Sequence, residues 1–135
     1  MARTHVHPVT IYYEDTDHSG LVYHANYLKY FERAREHVFG VDELAEMFEQ
    51  DGVGFVVYEV RLKFREGAKH GDVLEIRSEL AASTPWRVTC KQAAWRSDGA
   101  RALVEGDVEM VCVDRAGKLV QLPERVHRRL ADEAR

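Results

Sequence analysis

Glu14, Asp15 and Asp17 set three carboxylates beside two imidazoles, His18 and His24. All lie in the run Tyr12-Tyr13-Glu14-Asp15-Thr16-Asp17-His18-Ser19-Gly20-Leu21-Val22-Tyr23-His24-Ala25-Asn26-Tyr27. From Asn26 onward the apolar residues take up helical spacing, so the run leads into a helix N-terminus. The unpaired N–H groups there, with a macrodipole equivalent to roughly half a positive charge, can hold a developing oxyanion. A carboxylate a few residues upstream can attack the polarised carbonyl, or activate water against it.

Plainer duties compete for the same residues. Asp17 before Ser19-Gly20 also suits an Asx turn, and Glu14 and Asp15 suit strand-end caps. His24 can be an ordinary helix-entry residue whose useful group is its backbone N–H. Asp15, Asp17, His18 and His24 do not have the H-E-x-x-H spacing of a metal site. Asp17-His18-Ser19-Gly20 is not a G-x-S-x-G elbow, so a serine hydrolase is set aside.

Such a run needs an element on each side. Upstream, Val9, Ile11 and Tyr13 alternate with Thr10 and Tyr12, which predicts a short strand. Downstream, Tyr27, Tyr30, Phe31, Ala34 and Val38 form one helical stripe closed by Gly40, and this spacing makes the aromatics packing residues. Val41 to Gln50 adds a further helical segment. Four long alternating segments follow. They turn inward Tyr58, Val60, Leu62 and Phe64; then Leu74, Ile76 and Leu80; then Trp86, Val88 and Cys90; then Val104, Val108, Met110 and Cys112. Turn chemistry at Gly71-Asp72, Ser83-Thr84-Pro85, Ser97-Asp98-Gly99 and Asp114 to Gly117 predicts a meander. The Arg- and Glu-rich tail from Pro123, with Val126 and Leu130, predicts a surface helix. One strand, one long helix and four strands make an α+β order in which the helix covers one sheet face.

A chain of 135 residues is the size of one domain, and 45% hydrophobic with 31% charged residues is globular composition. A net charge of -4 excludes a general nucleic-acid binder. With no signal-length apolar segment and no bilayer-length run, the expectation is a cytoplasmic protein without a transmembrane segment. Cys90 and Cys112 sit in alternating apolar patterns and read as buried, reduced thiols.

The pattern Asp15-x-Asp17-x-x-Gly20-x-Val22-Tyr23-His24-x-Asn26-Tyr27-x-x-Tyr30-Phe31-Glu32-x-Ala34-Arg35 resembles the signature of the 4-hydroxybenzoyl-CoA thioesterase superfamily. It is most similar to the Tol-Pal-associated acyl-CoA thioesterases. The resemblance implies a single hotdog domain over residues 1–135, an antiparallel sheet wrapped around one long central helix. It implies hydrolysis of an acyl-CoA without cofactor or metal, in a homodimer or homotetramer. Carried over, the essential carboxylate is Asp17, as general base or nucleophile. His24 supplies the backbone N–H facing the thioester oxygen, and its side chain can orient water or substrate. Gly20, Val22, Tyr23 and Asn26 fall at substrate-binding positions. The implied acyl groups are short or medium aliphatic, then aromatic. A non-catalytic acyl-CoA or acyl-carrier binding module of the same fold is the alternative. His18-Ser19 and Glu66-Gly67-Ala68 depart from the family pattern. Arg61, Lys63, Arg65, Lys69, Arg87 and Lys91 are a solvated outer face, some of which can meet coenzyme A phosphates.

Overall fold

Three strands with strict alternation build the centre of the sheet, and their register explains what the helix above them can bury. The structure, a computed structural model, describes residues 3–133. In chain order it contains β1 (His5–Thr10), α1 (Asn26–Phe39), α2 (Val41–Glu46, continuing as a π-helical turn through Met47–Asp51), β2 (Gly54–Phe64), β3 (Val73–Thr84), β4 (Arg87–Arg96), β5 (Ala102–Val113), β6 (Leu119–Val120) and α3 (Glu124–Glu133). The sheet order is β1-β3-β4-β5-β2 with every pair antiparallel, and β6 adds to β5 beyond the end of β4. The connection through α1 and α2 therefore carries the chain from one sheet edge to the other.

Three rungs of the sheet face the helices. Ile76, Ala94 and Val104 align with Phe64, and Leu80, Cys90 and Val108 align with Val60. Between these apolar rungs lies Ser78, Gln92, Gly106 and Leu62. The lack of a side chain at Gly106 is needed there, because a Cβ would stand 2.5 Å from Leu62 Cδ2 and 3.1 Å from Phe31 Cε2. Phe31 of α1 fills that space and is fully buried. Gln92 uses its amide completely: Nε2 donates to Phe31 O and Ser78 Oγ, both at 2.9 Å, and Oε1 accepts from Arg35 Nη1 at 3.0 Å. This polar rung ties α1 to the sheet at a fixed height.

The apolar interior divides into two clusters. One joins Ile11, Val22, Tyr27, Tyr30 and Phe31 to Leu74, Ile76, Ala94 and Val104. The other joins Val38, Phe39 and Met47 to Val88, Cys90, Val108 and Met110, and also takes Val126 and Leu130 of α3. Cys90 and Cys112 are free and buried, and burial pushes both thiols up to about 12, so neither is a thiolate at neutral pH.

Three helices accompany the sheet, α1 and the two further helical segments expected after Val41 and after Pro123, and α1 is the longest at 14 residues. Several expectations change. The first strand begins at His5 and ends before Tyr12 and Tyr13, which enter a 3₁₀ turn and are exposed. Tyr58, Val60 and Phe64 are exposed, at 47%, 39% and 50%, because β2 is an edge strand with nothing beyond it. Trp86 sits exposed in the β3–β4 turn. The sheet is a meander only over β3, β4 and β5, since β2 pairs with β5. The tail helix is not confined to the surface, because Val126 and Leu130 are buried. Among the described residues, no helix is long and apolar enough to cross a membrane.

Candidate active site

Asp15 is the knot of the chemistry-bearing run. Its carboxylate Oδ2 accepts the Tyr12 N–H at 2.7 Å, closing the 3₁₀ turn Tyr13–Asp15. Its carbonyl oxygen accepts both the Tyr23 N–H and the Asn26 Nδ2–H, each at 2.9 Å. The chain leaving Asp15 and the first turn of α1 are thereby held together. Between them the backbone doubles back: Asp17 N–H donates to Leu21 O at 2.9 Å, and Gly20 N–H to Asp17 O at 3.0 Å. Gly20 makes that reversal at φ +83°, a conformation costly for any residue with a side chain.

At the head of this reversal Asp17 is exposed, and its Oδ1 accepts the Ser19 N–H at 2.8 Å together with the Ser19 hydroxyl. The Ser19 hydroxyl, then its N–H, hold the Asp17 carboxyl below the usual carboxylate range, and the nearby His18 and His24 lower it further. Asp17 is therefore ionised at neutral pH. Oδ2 has no hydrogen-bond partner among the described residues and remains available for chemistry.

Ala25 caps α1 without a side-chain hydrogen bond, and the first helical N–H groups, those of Asn26, Tyr27 and Leu28, donate to the carbonyl oxygens of Tyr23, His24 and Ala25. The His24 N–H has no acceptor among the described residues. The His24 ring is exposed and stands among aromatic rings, 4.7 Å from Tyr23 and 6.2 Å from Phe64. Phe64 also meets Tyr27 edge-on at 5.9 Å, linking the end of β2 to the helix entry.

A second loop braces the run from outside. Val22 N–H donates to Ala68 O at 2.9 Å, Leu21 bridges to Lys69, and Ala68 N–H donates to the Tyr27 hydroxyl at 3.4 Å. Leu21 packs directly over Gly67, where a Cβ would lie 2.7 Å from Leu21 Cδ1 and push that exposed side chain aside. Arg96 holds this loop by donating to Gly67 O at 3.0 Å and pairing with Asp72 at 3.2 Å and Glu66 at 3.4 Å.

The structure thus brings Asp17, Gly20, Tyr23 and His24 to one open surface at the start of α1. Val22 is buried in the core with its N–H spent on Ala68, and Asn26 is half-buried with its amide nitrogen spent on Asp15. Sequence reasoning passed over Ser19 as the anchor of Asp17, although an Asp-x-Ser-Gly turn is the signal for it. It also passed over Phe64 and Arg96, which only the sheet order brings to the site. Among the described residues no group of three or more His, Cys, Asp or Glu is arranged to hold a metal.

A family model described as the thioesterase-like superfamily matches residues 12–130, from the 3₁₀ turn to α3. The chain is 33% identical over 108 residues to a protein of Escherichia coli O6:H1 named acyl-CoA thioester hydrolase YbgC, covering 79% of this chain and 80% of that one. A probable thioesterase from Bartonella henselae superposes with a TM-score of 0.80 at 30% identity, covering 89% of this chain and 99% of that one. A 1,4-dihydroxy-2-naphthoyl-CoA thioesterase from Synechocystis shares the fold, with a TM-score of 0.87, 20% identity and 96% of each chain covered. Since the matched segment takes in the carboxylate run, its helix and the sheet beneath, the chain belongs to the thioesterase-like superfamily.

Proposed function

We propose that this protein hydrolyses an acyl-CoA thioester to the free acid and coenzyme A, with Asp17 as the essential carboxylate and the His24 N–H as oxyanion donor. One observation carries the reading: an ionised carboxylate with a free oxygen precedes the helix entry, where the His24 N–H has no acceptor among the described residues. The names of the relatives, acyl-CoA thioester hydrolase and thioesterase, supply the substrate class.

A thioester suits this apparatus because its carbonyl is poorly resonance-stabilised and its leaving group is a good one. In one route Asp17 takes a proton from water as the oxygen adds to the carbonyl carbon, and the oxyanion forms at the α1 N-terminus. Collapse breaks the C–S bond, and the thiolate of coenzyme A receives the proton. In the other route Asp17 adds directly, coenzyme A departs, and water cleaves the resulting anhydride. Both use the same helix end. Asn26, Gly20 and Tyr23 shape the entrance in this reading, and Val22 closes its floor.

The hotdog description, with α1 at the centre of a wrapped sheet, adds a second subunit. Asp17 and His24 lie open to water, and electrostatic stabilisation is strongest where water is excluded. The edge strand β2 offers exposed Val56, Val60 and Phe64 along 11 residues, an edge that proteins normally cover. A symmetric dimer pairing β2 with its copy covers that edge and closes the site. Sedimentation at assay concentration is expected to give a dimer or tetramer. An active monomer would rule out a shared site.

A thiol-release assay over short aliphatic, medium aliphatic and aromatic acyl-CoAs tests the activity, and at least one is expected to turn over well above background. If none were hydrolysed while acyl-CoA still bound, the protein would be a binding module of this fold.

A further inference from the structure

The seam between β1 and the second half of α1 gathers basic groups and no acids. A cleft of about 390 Å³ opens there, and its polar walls are Arg3, His5, His7 and His37 with the hydroxyls of Thr4 and Ser78. Among the described residues no Asp or Glu lines it. Strand alternation explains the convergence, since His5 and His7 share the helix-facing side of β1 and His37 meets them from α1.

His7 and His37 stack with ring centroids 4.7 Å apart and an interplanar angle of 20°. Arg33, one turn before His37, acts on His7 as a further positive charge. Burial, then His37, then Arg33 hold the His7 pKa below the ordinary imidazole value, and no carboxylate opposes them. The acids of the neighbouring elements point elsewhere. Glu32 and Glu36 of α1 line the cavity toward β2 and β5. Glu75, Arg77 and Glu79 of β3 alternate with Ile76 and Ser78 and so lie on the opposite sheet face, where Glu79 accepts the Thr4 hydroxyl at 2.9 Å. Glu14 and Asp15 lie beyond His7, in a groove that also holds Lys29 and Arg33. From α3, Arg129 donates to Val38 O at 2.9 Å and adds one more cation nearby.

Ser78 supplies a directed donor. It is 1% exposed, its oxygen accepts from Gln92 Nε2 at 2.9 Å, and its own hydrogen has no acceptor among the described residues. A guanidinium, two imidazoles that can each take up a proton and a hydroxyl donor suit a group with several acceptor oxygens and two negative charges. We infer that this cleft binds a tetrahedral oxyanion, a phosphate or sulfate group, between Arg3, His7, His37 and Ser78. His37 lies about 16 Å along α1 from Asn26, so this binding asks nothing of Asp17.

Sulfate tests the inference, because it stays doubly charged where imidazoles titrate. The ring C–H signals of His7 and His37 are followed by NMR at fixed ionic strength while sulfate is added at about pH 5.5 and at about pH 7.5. Both signals are expected to shift saturably, with affinity at least about tenfold higher at the lower pH, since binding takes up protons. Acetate, with one charge and two oxygens, is expected to bind at least about tenfold more weakly than sulfate. His37→Gln, at an exposed position, is expected to keep the fold, weaken sulfate binding and flatten its pH dependence. His7→Phe, which keeps a ring against His37, is expected to do the same. Inorganic phosphate and coenzyme A then compete with sulfate: displacement at lower concentration by coenzyme A assigns the group to the phosphates of that molecule, and by inorganic phosphate to a free anion. The absence of a saturable shift would overturn the inference. So would affinity indifferent to pH, acetate bound as tightly as sulfate, or sulfate binding unchanged in both variants. A chain that binds sulfate in this way and hydrolyses no acyl-CoA would sink the thioesterase reading and leave the oxyanion site standing.

Discussion

The two ends of α1 are held in place by different forces. At the N-terminal end, the exposed Asp17, Tyr23 and His24 are positioned by backbone hydrogen bonds converging on Asp15 O and by the braced loop carrying Gly67 and Ala68. At the other end, Phe39, Met47, Met110 and Cys112 are held by burial, and few directional bonds are involved. Burial stabilises without fixing a carboxylate's lone pairs, whereas hydrogen bonds fix direction and leave the group in reach of substrate. Substitutions at the two ends should therefore register in different observables.

The largest effect is expected at the apolar end. Phe39→Ala removes a ring that is 4% exposed and stacked on Phe55, and should cost about 3–5 kcal/mol in chemical denaturation. The kcat of the protein still folded should be nearly unchanged. A fall in kcat with stability intact would show that the two ends are not separable.

Asn26→Ala should do the reverse. It removes the 2.9 Å tie from Nδ2 to Asp15 O that sets the distance between the carboxylate run and the helix start. Misplacement of about 1 Å costs on the order of 10²-fold, so the loss should appear mainly in kcat, measured beside an unfolding curve. A large stability loss with kcat preserved would make Asn26 a structural strap only.

Ser19→Ala sharpens the site end with a smaller effect. The Ser19 hydroxyl is the main reason that the Asp17 pKa is low. Without it the folded value moves up toward the ordinary Asp value of about 3.9, and the acid limb of kcat/KM moves to higher pH. The sign holds for stability too. A depressed carboxylate stabilises above its unfolded value and loses that contribution as pH falls through its folded value, so Ser19→Ala shrinks the term. An acid limb that stays put or moves down would contradict the assignment of Asp17.

The smallest effect belongs to Tyr30, whose buried hydroxyl lies beside the Asp15 carboxylate without closing a hydrogen bond of normal geometry. Burial, then Asp15, raises its pKa well above that of a free phenol. Because the hydroxyl already bears a desolvation cost, Tyr30→Phe should leave stability unchanged or raise it by up to about 1 kcal/mol. A loss of several kcal/mol would reveal a bond that the present geometry lacks.

The sequence made the inward faces of β3, β4 and β5 legible, because alternation reports directly on a strand covered on one side. It read α1 and its Gly40 stop correctly for the same reason, with a period of 3.6 instead of 2. Alternation cannot say whether a face is covered, which is why Tyr58, Val60 and Phe64 were assigned to the core and emerge at an open edge. Sheet order and long-range pairing decide that, and no local pattern encodes them. The same holds for Gln92, which reads as one polar residue on an inward face and proves to be the link between α1 and the sheet. At the site, the run from Tyr12 to Tyr27 was legible because its residues are close in sequence. Phe64, Ala68 and Arg96 reach it only through the fold.

The central claim is that the Asp17 carboxylate does the chemistry and does not merely cap its turn. Asp17→Asn keeps the size of the side chain and removes its capacity as base or nucleophile. Thiol release and acyl-CoA binding measured on the same preparation give the test. The account predicts that kcat falls on the order of 10²- to 10⁴-fold while binding and the unfolding midpoint are retained. Turnover near the parent rate in a variant of lowered melting temperature would make Asp17 a turn residue and contradict the mechanism.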